Sequence, residues 1–85
     1  MIKVKPLDNS KFEVEVTSRS TTTHVVTVQP EYARKLARQD EDTVSLVKRS
    51  FEFLLARESN TSILRSFDLS VIARYFPEYE SEIQR

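Results

Sequence analysis

Any acid–base or nucleophilic chemistry in this chain would start at His24, its one histidine and its one side chain whose ordinary pKa lies near neutrality. His24 closes the stretch "TSRSTTTH" (17–24), which sets Arg19 among serine and threonine hydroxyls. An arginine fork beside hydroxyl donors suits a phosphate or a nucleic-acid backbone. The stretch has no glycine, however, and backbone amides rarely close around an anion without one. The plainer expectation is a hairpin loop running into a threonine-rich strand, its hydroxyls solvated. A lone histidine without a nucleophile or metal partner is likewise expected to be a packed or edge residue.

Composition removes several classes of chemistry. The chain has no cysteine, which excludes disulfides, thiolate nucleophiles and cysteine zinc sites. It also has no glycine in 85 residues, which excludes the P-loop and the dinucleotide fingerprint. Carboxylates are plentiful, but most fall on strand or helix faces expected in solvent, and no cleft is expected to hold a catalytic pair. No catalytic residue, cofactor or metal is therefore assigned. Thirteen basic residues balance thirteen acidic ones, whereas generic nucleic-acid binders usually carry a basic excess. No apolar run approaches the roughly 18 residues of a membrane span. The N-terminus carries no signal-peptide pattern, so the expected setting is cytoplasmic, with no membrane partner.

Two groups of side chains remain as binding candidates. Arg49, Arg57, Arg65 and Arg74 lie along two helical segments, about 43–57 and 68–76, that together read as a helix-turn-helix-like pair. With Arg19 they would form a nucleic-acid surface. Against this, the second segment offers mainly apolar side chains where base edges need polar ones. Alternatively, Tyr75 and Tyr79, with Phe53 and Phe76, form an aromatic patch of the kind found at protein interfaces. Arg19, His24, Phe53, Arg65, Arg74, Tyr75 and Tyr79 are the candidate partner-binding residues.

The elements that would position these groups follow from periodicity. "IKVK" and "KFEVEV" alternate apolar and charged residues, separated by the turn signal Asp8-Asn9-Ser10. "TTTHVVTV" is a third, β-branched run, on which His24 aligns with Thr22, Val26 and Val28. Lys3, Lys5 and Lys11 should face Glu13 and Glu15 across strands on the solvent side. Pro30 suits the first position of a short helix. "QDED" at 39–42 marks a break and then a helix start. Over 43–57, Val44, Val47, Phe51, Leu54 and Leu55 form one apolar stripe, while Leu46 and Phe53 form a second on the opposite side. This helix should therefore be covered on both flanks, by strands and by the aromatic tail. Asn60 is expected to supply the left-handed residue that glycine would otherwise provide. Asp68 is expected to cap a helix over 69–76 in which only Ser70 and Arg74 face outward, and Pro77 should end it before a last turn carrying Tyr79 and Ile83.

"STTTHVVTV", "RSFEFLLARE", "NTSILRSF" and "FDLSVIARYFPEYE" together resemble a small prokaryotic protein family. The resemblance spans most of the chain and implies a bacterial or archaeal cytosolic setting. It brings no activity, cofactor or site residue to these positions. The expected architecture is a single α+β domain over residues 1–85. Its three-stranded antiparallel sheet, about 2–28, precedes three to four helices packed on one face. The expected role is a non-enzymatic protein-interaction or regulatory module with a protein partner, or a homodimer that would cover the surplus apolar stripe. A nucleic-acid-binding module is the alternative.

Overall fold

The computed structural model describes residues 1–85. Strands β1 (Ile2–Pro6), β2 (Lys11–Thr17) and β3 (Thr21–Thr27) form an antiparallel meander. Alternation builds it: Phe12, Val14 and Val16 of β2, with Thr22, His24 and Val26 of β3, are buried, and the residues between them are half-buried or exposed. His24 lies on the face of Thr22, Val26 and Val28, as its spacing requires. The first turn is an Asx turn, in which Asp8 Oδ1 accepts from the amides of Ser10 and Lys11, both at 2.8 Å. These two bonds hold the Asp8 carboxyl below its ordinary value. Register sets Lys3 opposite Glu15 and Lys5 opposite Glu13, without bringing either pair within 4.0 Å. Lys11 stands opposite Thr27 instead of a carboxylate.

The helices α1 (Pro30–Leu36), α2 (Thr43–Leu55), α3 (Val71–Tyr75) and α4 (Tyr79–Ile83) cover one face of the sheet. Pro30 occupies the first turn of α1. Asp42 caps α2 by accepting from the Ser45 amide at 2.8 Å. Both apolar stripes of α2 are covered: Val47, Phe51 and Leu54 are buried with Val44 and Leu55 partly so, and on the other side Leu46 is fully buried and Phe53 is 8 % exposed. Toward the sheet, the Phe51 ring lies 5.4 Å from that of His24. Toward the tail, Phe53 meets Phe76 at 5.9 Å and Tyr79 at 5.2 Å, both edge-on. The long helix is sandwiched within one chain, so no stripe is left over to argue for a homodimer.

Several features depart from expectation. A fourth strand, β4 (Ser66–Asp68), joins the sheet parallel to β3, giving the order β1-β2-β3-β4. Asp68 therefore ends a strand, and its carboxylate holds the following turn through Ser70 N at 3.0 Å and Ser70 Oγ at 2.8 Å rather than capping the helix proper. The single positive-φ residue is Asp40, at 64°, not Asn60. Aspartate tolerates that region through its short polar side chain, and α2 instead ends in right-handed turns at Ala56–Glu58. Finally, Tyr75 joins Ser70 and Arg74 on the outside, 67 % exposed. Since a 3-10 turn (Asn60–Ser62) and β4 separate α2 from a five-residue α3, the two helices do not form a helix-turn-helix, which needs a short direct turn.

Candidate apolar groove beside the fourth strand

A buried polar chain fixes the segment that leads into β4. Asn60 is 5 % exposed, and its Nδ2 donates to Ser20 O at 3.0 Å and Thr22 Oγ1 at 3.1 Å. Thr22 Oγ1 lies 2.9 Å from His24 Nε2, and His24 Nδ1 lies 2.7 Å from the Leu64 carbonyl. A carbonyl only accepts, so Nδ1 carries a proton, and in the neutral ring Nε2 then accepts from the threonine hydroxyl. Both ring nitrogens of the fully buried His24 are thus occupied. The histidine ties β3 to Leu64 and offers no ring atom to a substrate. Converting Asn60 to alanine strips the donor from the part-buried Ser20 carbonyl and the buried Thr22 hydroxyl and should lower the unfolding free energy by about 2 kcal/mol. Asn60→Asp, which sets a carboxylate against carbonyls, should cost more. Urea denaturation of both variants checks the order.

The pinned segment forms one wall of an apolar groove of about 470 Å³. Ser62, Ile63 and Leu64 line that wall, Val71, Ile72, Tyr75 and Phe76 line the other, and Phe67 of β4 joins Leu54 and Glu58 between them. Leu64 is 49 % exposed and Tyr75 67 %. Exposed apolar surface of this kind, rimmed by polar residues, marks interaction sites. A second depression of about 250 Å³, between Asn9, Pro30, Arg34 and Thr43, is mainly polar.

Ion pairs gather around the C-terminal tail and the start of α2. Arg49 makes a bidentate pair with Glu41, Nε–Oε2 and Nη2–Oε1 both at 2.7 Å, and donates to the Ile83 carbonyl at 2.7 Å. The arginine, above all, holds the Glu41 carboxyl down at about 2, against burial. Arg57 stacks 3.6 Å over the Phe53 ring and reaches Glu78 and Glu82. Glu80 accepts from Tyr32 Oη at 2.7 Å and Lys35 Nζ at 3.0 Å, which lowers its carboxyl, while burial and then Glu80 raise the Tyr32 phenol. The acidic run of the tail is in this way consumed inside the molecule. Arg65 and Arg74 are exposed and have no ion-pair partner, and the same is true of Arg19 in the β2–β3 turn.

Of the residues singled out from sequence, Tyr75 lines the groove, with Arg65 and Arg74 next to lining residues in the chain. His24, Phe53 and Tyr79 are buried and so act from beneath, by packing and hydrogen bonding, rather than by touching a partner. Sequence reasoning missed Leu64 as a surface residue: it adjoins Ile63 between polar neighbours, and only one of the two apolar side chains is buried. No group of three or more His, Cys, Asp or Glu side chains is placed to hold a metal ion. No helix is long and apolar enough to cross a membrane. No protein-family model matches the sequence, and no curated protein or solved structure gives a significant match.

Proposed function

We propose that this chain is a non-catalytic protein-interaction module of the cytoplasm, and that the groove between the 62–64 segment and α3 is its binding face. One observation carries this reading. In a molecule where no buried side-chain nitrogen or oxygen lacks a partner, an apolar cleft of about 470 Å³ stays open with Leu64 and Tyr75 at its mouth. Concave, mostly apolar sites with a few polar groups at the margin are where proteins take ligands and partner side chains. A rigid floor supports that use, since His24 and Asn60 hold the wall and Phe51 backs Phe67 at 6.1 Å.

Apolar fragments provide the test. In 15N–1H spectra of the labelled protein, small aromatic and branched aliphatic fragments should shift the amides of Leu64, Phe67, Val71 and Tyr75 together. Leu64→Glu should abolish those shifts while changing stability by less than about 0.5 kcal/mol, because the side chain is half in solvent. Shifts scattered over the surface, or unaffected by that substitution, would remove the groove as the binding face.

A further inference from the structure

We infer that the groove's partner is a segment of another protein that sets an apolar side chain in the cleft and a neighbouring lysine or arginine on Glu58; this rests on the groove reading above. The lining of the cleft, the helix end beside it and its open mouth point the same way.

Eight of the ten lining residues are hydrophobic, and the two polar ones are Glu58 and Ser62. Glu58 is the one charged group among them. It is half-buried, and no lysine or arginine lies within ion-pair distance of it, although Arg57 precedes it directly in the chain. Arg65 and Arg74 adjoin Leu64 and Tyr75 in sequence but lie outside the lining. The charge that an occupant meets inside the cleft is therefore negative.

Glu58 stands just beyond the C-terminal end of α2, the longest helix of the fold. The last carbonyls of a helix carry a partial negative charge, which a basic side chain ordinarily offsets. α2 has no basic residue in its last turn. Arg57 gives one bond to the Phe53 carbonyl at 3.0 Å, but the rest of its guanidinium is turned to Glu78 and Glu82. Glu58 thus adds to the negative end of the helix, beside apolar side chains that thin the water around it. Charge-assisted contacts gain strength in such surroundings. Lysine and arginine suit both parts of the lining, since their stems lie along apolar surface while their heads seek a carboxylate.

The mouth favours a protein over a small molecule. A small-ligand pocket encloses most of its ligand, whereas Leu64 and Tyr75 stand 49 % and 67 % exposed here. Aromatic residues at the surface are enriched at protein contacts.

Three short capped peptides serve as the probe, alike in a leucine and a phenylalanine and differing at one adjoining position: lysine, norleucine or glutamate. They are titrated into the 15N-labelled full chain. The lysine peptide should shift the Glu58 and Ser62 amides along with those of Leu64, Phe67 and Tyr75. At low salt it should bind about fivefold more tightly than the norleucine peptide, with the glutamate peptide weakest. Added salt should narrow the gap. Glu58→Gln should close it while leaving norleucine binding unchanged, and Arg65→Ala/Arg74→Ala should leave it in place. Equal binding of the lysine and norleucine peptides, or a gap that survives Glu58→Gln or vanishes with the arginines, would overturn the basic partner while leaving the groove as a binding face. The same holds if the peptides leave the groove unmoved where apolar fragments bind. Small arylalkylamines that bind through Glu58 where the peptides fail would replace the protein segment by a small cation. Concentration-dependent shifts of the same amides without peptide would replace it by a second copy. Failure of fragments and peptides alike would sink the underlying reading.

Discussion

Substituting Arg49 with methionine is expected to lower the unfolding free energy by about 3 kcal/mol, or roughly 12–24 °C in melting temperature for a domain of this size. The arginine side chain is 15 % exposed and its Glu41 partner 8 %, so neither charge can fall back on bulk water when the other is removed. Arg49 also donates to the Ile83 carbonyl, which fastens α4 to α2. The substitution therefore leaves the Glu41 carboxylate with only the Arg38 amide and the Ser45 hydroxyl as donors, and loosens the tail at the same time.

The pH dependence identifies the source. Glu41 is held from an ordinary 4.5 down to about 2, chiefly by Arg49. A depressed carboxyl contributes stability that is complete above its unfolded value and disappears as pH falls through its folded one. The wild-type advantage should accordingly be full at neutral pH and shrink between pH 4.5 and 2. Denaturant titrations of both proteins across that window test it. An equal gap at both ends would mean that lost packing, not the ion pair, sets the cost.

Removing the Tyr79 ring should be at least as damaging. The ring is fully buried, edge-on to Phe53, with its hydroxyl 2.7 Å from Ser50 Oγ. Ser50 already donates to the Leu46 carbonyl at 2.9 Å, so the tyrosine hydroxyl is the donor in the second bond. Tyr79→Ala deletes a core aromatic and should cost about 3–5 kcal/mol. Tyr79→Phe keeps the ring and leaves Ser50 one bond, costing about 1 kcal/mol. Chemical denaturation of the pair separates ring from hydroxyl. Burial also pushes the Tyr79 phenol up to about 12. The resulting stability is complete below the ordinary value of 10.0 and is lost as pH rises toward 12, so both tyrosine variants should lose this alkaline limb.

The meander and the sandwiched helix were legible because each rests on a period. Phe12, Val14 and Val16 repeat at two, and the stripes of α2 repeat at three and four, so burial follows from spacing alone. Pro30 and Asp42 marked helix starts by local chemistry that needs no tertiary partner. β4 was illegible for the opposite reason. Three residues hold no period, and "SFD" becomes a strand only because β3 stands ready to pair with it.

The same limit governs the site. Asn60 in a glycine-free chain reads as a turn residue, yet its amide is spent on carbonyls some forty positions earlier. Arg49 and Arg57 read as free charges because their partners lie beyond helical spacing, eight residues away for Glu41 and 21 and 25 for Glu78 and Glu82. Tyr75 and Tyr79 look equivalent, four apart, but Pro77 breaks the helix between them and resets its phase. One ring ends in solvent and the other in the core. A groove is unfilled space between elements, which no residue pattern spells out.

The central claim is that partners meet this molecule at the mouth of the groove. A photo-crosslinking residue installed at Tyr75, with a control at the exposed Thr23 of β3, tests it in the cells from which the protein comes. The account predicts a discrete adduct from position 75 only, suppressed by excess wild-type protein and not by excess Leu64→Glu. Identical adducts from both positions, or equal suppression by the two competitors, would contradict it.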